Sequence, residues 1–205
     1  MEKPNLPVRI ATRKLTGPQL SFYYPSVQNL DDPAVQDRIN RLILAQINRL
    51  LLDTTYYEYP PNASATGRYE VKTNEDNILS VSLVLDYYGG GAHGITLTDS
   101  LTFNTQTGQL YEFKDLFIPG SGYMQQIDRL IEQQIAERGM TDAVSFHGVD
   151  SDQPYYLADK SLVVYFQIYD IASYAAGPLY FPIPLYQIEG LAYEGSPVNL
   201  LQEFI

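Results

Sequence analysis

The sequence predicts an α+β fold: antiparallel β-sheet packed against two main amphipathic helices, about residues 32–52 and 122–138. Three observations lead there. Two stretches repeat apolar residues at helical spacing. The segments around them are short, alternating or apolar, and rich in β-branched and aromatic residues. Gly, Pro, Asn and Asp cluster between those segments, which is the pattern of tight turns between neighbouring strands.

Taken in order, residues 5–15 alternate, with Val8 and Ile10 set against Arg9 and Arg13. Residues 19–25, Gln-Leu-Ser-Phe-Tyr-Tyr-Pro, form a second extended segment. Asp31 or Asp32 then caps a helix that has Pro33 at its first position, where a missing N–H costs nothing. Val35, Ile39, Leu42, Ile43, Ile47, Leu50 and Leu51 make its apolar face. Residues 53–65 read as a loop, stopped by Pro60-Pro61 and displaying Tyr56, Tyr57 and Tyr59. Residues 66–74 and 77–88 read as strands joined by a turn at Asn74–Asn77, and the apolar end of the second is expected to be buried on both faces. A Gly-rich loop, Gly89–Gly94, leads to a strand over 95–103. Asn104–Gly108 is a hairpin turn from which Leu110–Phe113 returns.

The second helix spans 121–138, with Ser121 as candidate cap, Met124, Ile127, Leu130, Ile131 and Ile135 as its face, and Gly139 as its stop. Residues 155–157 and 161–168 form a hairpin around Ala158-Asp159-Lys160. Residues 178–186 carry three prolines and are expected at a sheet edge. A boundary is expected near 60–66, giving a strand–strand–helix segment, 1–65, and a C-terminal domain, 66–205, within one compact unit.

Composition narrows the function. The net charge is -11 with only 13 Lys and Arg, which disfavours nucleic acid and anionic membranes and suits a basic protein partner or simple solubility. There is no Cys, so disulfides, thiolate catalysis and cysteine zinc sites are excluded. Eighteen Tyr and no Trp suit strands and semi-exposed contact surfaces. No run is long enough to span a bilayer, and Met1-Glu2-Lys3-Pro4 lacks the apolar core of a signal peptide. The start therefore reads as one set downstream of a leader or anchor.

Motifs for chemistry are sparse. His93 in Gly-Gly-Gly-Ala-His-Gly would serve as a ligand or base, or else bond a backbone group in a sharp turn. No second His lies at metal-ligand spacing. The Gly run lacks the Lys-Ser/Thr ending of a phosphate loop, and Gly-x-Ser-x-Gly is absent. Carboxylates are plentiful, Asp86, Asp99, Asp115 and Asp170 among them; a glycosidase would need a facing pair that includes Asp86 or Asp170, and Asp150-Ser151-Asp152 lacks the rest of a Ca²⁺ loop. Tyr169, Tyr174, Tyr180 and Tyr186 could line a protein or glycan site, or pack a sheet face on a helix.

Several segments together resemble a known family. They are Tyr87–Gly94, Thr107-Gly108 leading to Asp115-Leu116-Phe117, Leu162–Phe166, Tyr169-Asp170-Ile171-Ala172 through Ala176-Gly177-Pro178, and Ile183-Pro184. They look like the extracellular C-terminal domain of RsiV-type anti-sigma factors, which also accompanies some peptidoglycan deacetylases. Tyr24-Pro25, Asn29–Asp32 and Ile39-Asn40 resemble the companion N-terminal segment, so the resemblance covers roughly residues 8–190. Ser173 stands where many relatives carry Pro.

The resemblance implies an α+β domain outside the cell that binds lysozyme in the anti-sigma factor. The expectation is a non-enzymatic recognition domain of the cell envelope, without catalytic residue, cofactor or metal. It would bind a basic, lysozyme-like protein or a cell-wall glycan through Tyr88, Gly90, His93, Tyr169, Asp170, Tyr174, Gly177 and Pro178. The alternative is a cell-wall glycan hydrolase, or an accessory module of a peptidoglycan- or polysaccharide-active enzyme.

Overall fold

The computed structural model describes residues 7–58 and 62–202. The chain divides into two units, Met1–Leu110 and Tyr111–Ile205. Tyr59, Pro60 and Pro61 of the predicted loop, and the first residues of the predicted 5–15 strand, lie outside the described residues.

The first unit is a five-stranded sheet in sequence order: β1 (Arg9–Gly17), β2 (Leu20–Gln28), β3 (Ser64–Glu75), β4 (Ile78–Tyr88) and β5 (Ile95–Asn104). Strands from both sides of residue 65 thus share one sheet. Neighbours run antiparallel except β2 and β3, which are parallel over Leu20–Phe22. A parallel step needs a crossover, and helix α1 (Pro33–Leu52) supplies it.

Asp32 caps α1 by accepting from the Ala34 N–H (2.8 Å), with Pro33 at the first position. Ile39, Ile43, Ile47, Leu50 and Leu51 pack among Phe22, Val27, Leu79, Val81, Leu83, Leu85, Leu101 and Phe103. A polar residue of the helix, Asn40, fixes it to β2. Its Oδ1 accepts from the Val27 N–H (2.8 Å) and its Nδ2 donates to the Val27 carbonyl (3.0 Å).

β4 is buried on both faces from Ile78 to Leu85, further than its apolar run alone suggests. Ser80 and Ser82 are buried because each pairs with a hydroxyl across the ladder, Ser80 with Thr102 (3.0 Å) and Ser82 with Ser100 (2.9 Å). The β3–β4 turn puts Asp76 (φ 48°) and Asn77 (φ 62°) in the left-handed region that a tight hairpin requires. Gly108 (φ 71°) closes the loop after β5, but no strand returns. Only Leu110 bridges Phe103, and the chain then enters a 3₁₀ turn, Phe113–Leu116, closed reciprocally by Glu112 and Asp115. Tyr56, expected to be displayed, is buried; its hydroxyl donates to the Pro18 carbonyl (2.9 Å).

The second unit holds helix α2 (Tyr123–Glu137), an antiparallel sheet in the order β6 (Tyr155–Ala158), β7 (Ser161–Phe166), β8 (Leu179–Pro184), and a short α3 (Pro197–Leu200). Its core is aromatic: Phe117 stacks on Tyr123 (4.4 Å), and Phe113 meets both edge-on. β8 is an edge strand with Pro182 and Pro184 at alternate positions, so their missing N–H groups fall on the unpaired side. α2 covers that side. Gln134 donates to the Pro182 carbonyl (2.9 Å) and Arg138 to the Tyr180 carbonyl (2.9 Å). Arg138 also lies over the Phe181 ring (4.8 Å). The predicted cap of α2 is corrected. Gly122 (φ 80°) holds the cap position, and the Ser121 hydroxyl is buried with no hydrogen-bond partner. Among the described residues no helix is long and apolar enough to cross a membrane.

Candidate functional site

The predicted site residues fall in two loops, one in each unit. In the first unit Tyr88–Gly94 closes the β4–β5 hairpin, in which Tyr87 pairs with Ile95. Gly90 turns the chain at φ 86°. Gly94 lies so close to the Tyr87 carbonyl oxygen that a Cβ there would stand 2.9 Å from it. The Tyr88 hydroxyl donates to the Gly91 carbonyl (2.9 Å), and His93 Nδ1 sits 3.0 Å from the Gly94 carbonyl. Two of the polar side chains proposed for binding are therefore engaged with their own loop, which corresponds to the turn alternative for His93. Beneath, the Tyr87 hydroxyl shares a hydrogen bond with Thr55 (2.7 Å).

The second loop, 167–178, follows β7. Tyr169 has φ 77°, a left-handed conformation that costs a bulky residue energy and is kept only where its surroundings impose it. Asp170 imposes it. Its carboxylate accepts from the Gln167 N–H (2.6 Å), while its own N–H donates to the Gln167 carbonyl (3.2 Å). Further on, Ala172 bridges Val144, and the Ser145 N–H donates to the Ile171 carbonyl (2.7 Å). A 3₁₀ turn, Tyr174–Ala176, ends at Gly177 (φ 67°), and Pro178 leads into β8.

The result is a pair of tyrosines brought together in the open. Tyr169 is 64% exposed, Tyr174 is 40% exposed, and their ring centroids are 5.8 Å apart. Tyr165, Tyr156 and Tyr180 instead cluster against one another on the sheet, which is the packing role the sequence left open.

The carboxylates named for glycan hydrolysis are both occupied. Asp86 ion-pairs with Arg68 (2.5 Å) and accepts from the Thr96 hydroxyl (2.6 Å), and Asp170 holds its own loop. Among the described residues no group of three or more His, Asp or Glu side chains could hold a metal ion. One carboxylate is perturbed. Asp99 on β5 lies under α1, and burial raises its pKa against the opposing hydrogen bonds from the Ser100 N–H and Gln46. In the sequence Asp99 is one of many carboxylates, and nothing in its alternating strand sets it apart.

The fold is shared with two solved structures. A DUF3298-family member from Bacteroides fragilis has a TM-score of 0.76 at 16% identity, covering 98% of this chain and 99% of that one. A DUF3298-family protein from Pseudomonas aeruginosa has a TM-score of 0.69 at 15% identity, covering 95% and 97%. In sequence, residues 114–186 match the family described as "Protein of unknown function (DUF3298)", and residues 18–96 match one described as "Deacetylase PdaC". The chain is 25% identical over 175 residues to an esterase of Mycobacterium tuberculosis, covering 82% of this chain and 74% of that protein. The matches support a DUF3298-type domain of unknown function, and that segment lies within the second unit.

Proposed function

We propose that this chain is a non-enzymatic recognition domain of the bacterial cell envelope, and that its Tyr169–Tyr174 loop docks a basic, lysozyme-like protein. The observation that carries the reading is the exposed tyrosine pair on a strained loop. A left-handed Tyr has no folding advantage, whereas two amphipathic rings held at fixed spacing give contact area at low entropic cost. The charge of -11 favours a basic partner. The DUF3298-type and PdaC-type segments support a place at the cell envelope.

Immobilised lysozyme tests this. The parent chain is expected to bind saturably, and the Y169A/Y174A double variant to lose roughly a hundredfold in affinity through faster dissociation. Unchanged affinity in a folded double variant would remove the loop from the site.

The esterase relative favours a second reading, ester hydrolysis. It calls for a nucleophile and a base within hydrogen-bond reach. Steady turnover of a short-chain nitrophenyl ester, abolished in H93A, would establish it.

A further inference from the structure

An open surface depression of about 710 Å³ lies in the second unit, between the start of α2 and the segment 186–191. We propose that it binds an oligosaccharide, with one pyranose ring lying on the Tyr186 face and its hydroxyls shared among Gln125, Gln126, Gln187, Arg129 and Glu189. The volume lies within the range of small-ligand sites and fits a short saccharide.

The lining is unusual in composition rather than depth. Tyr186 is 67% exposed, so its ring offers a flat apolar face to solvent. Such a face matches the C–H side of a sugar ring. Around it stand three primary amides, a guanidinium and a carboxylate. Each amide both donates and accepts, the guanidinium only donates and the carboxylate only accepts. A sugar hydroxyl also does both, so a set of adjacent hydroxyls can be satisfied by this mixture without leaving a group unpaired. Arg129 and Glu189 carry opposite charges, which removes a preference for a phosphate or a cation. Leu191 is the main aliphatic residue of the lining, and with the Tyr186 ring it gives the site an apolar patch for the C–H side of a sugar.

The side chains are gathered but loosely held. Arg129 Nε donates to Gln126 Oε1, Gln126 Nε2 to the Gln187 carbonyl, and Gln187 Nε2 to the Tyr186 hydroxyl, each at 3.4 Å. Bonds of that length are weak and readily exchanged for better ones to a ligand hydroxyl. Gly190 leaves open space where any side chain would narrow the floor, and nothing lies within 4 Å of where its Cβ would be. The site does not depend on the Tyr169–Tyr174 loop.

The test is calorimetric titration of the full chain with chitotetraose, cellotetraose and maltotetraose, to about 10 mM, alongside Y186A, E189Q and Y169A/Y174A. One saccharide is expected to bind saturably with Kd on the order of 1 mM or tighter. Y186A, an exposed substitution, is expected to weaken it roughly tenfold or more, and E189Q to weaken it less. Y169A/Y174A is expected to leave it unchanged, so failure here and failure of the docking loop are separable. No saturable binding of any of the three, or binding indifferent to Y186A, would overturn the proposal.

Discussion

Gly67 on β3 has no room for a side chain: a Cβ would stand 2.0 Å from Cδ2 of Phe22, a fully buried ring at the centre of the first unit's core. The ring is hemmed in by that core and cannot swing away, so G67A is expected to cost about 2 kcal/mol or more, read from the urea midpoint of unfolding. Tyr169 is the opposite case, a residue whose presence strains the backbone. Asn adopts the left-handed region more easily. Y169N is therefore expected to be at least as stable as the parent while losing the lysozyme interaction. A variant that lost stability and binding together would make Tyr169 a structural residue. The aromatic residues of the second loop stood out as candidates because they cluster near the C-terminus in a segment that carries the family resemblance. The left-handed turn that presents them was not legible, because Asp170 acts through a backbone hydrogen bond that no motif encodes.

At the scale of elements, α1 was readable almost to the residue, since Asp32-Pro33 and the apolar period agree on one helix, Pro33–Leu52. What the period does not reveal is how the helix is fixed to its sheet. Asn40 looks like an ordinary polar position, yet its amide satisfies both polar groups of Val27. N40A leaves a buried N–H and carbonyl without partners and is expected to cost about 1–3 kcal/mol in denaturant unfolding. On β5, where Gln46 of the same helix meets it, Asp99 carries a pKa raised by burial. A carboxyl whose folded pKa lies above its unfolded value stabilises the fold while protonated, and that contribution is lost as pH rises through the folded value. D99N cannot ionise. Its Tm advantage over the parent is expected to grow as pH rises from about 4 to 7, and a constant or shrinking difference would contradict the assignment. The strand expected over Leu110–Phe113 failed for a local reason: Glu112 and Asp115 close a turn of their own there.

At the scale of the whole molecule, the α+β class followed from two periodic helices among short strands, and the shared fold with DUF3298-family structures agrees with it. Each of the two family matches falls within one unit, 18–96 in the first and 114–186 in the second. The sheet order was not legible, because the parallel β2–β3 step depends on where α1 returns the chain, over only three register pairs. Of the candidate saccharide site only Tyr186 was legible, as one of the tyrosines that could line a glycan site. Its lining comes from two segments about sixty residues apart, and none of its Gln residues stands out in the sequence. The charge of -11 is a property of the whole chain and gives attraction without geometry. The tyrosine loop supplies geometry, and the two contributions respond differently to salt, because screening acts on exposed charges and hardly on buried aromatic contact. The direct test is calorimetry of the full chain with lysozyme at two ionic strengths, about 0.05 M and 0.5 M. The account predicts saturable single-site binding at both, weaker but still measurable at the higher salt. Heat that vanishes at the higher salt would mean charge attraction alone, and that outcome or no binding at either salt would contradict a docking surface built on Tyr169 and Tyr174.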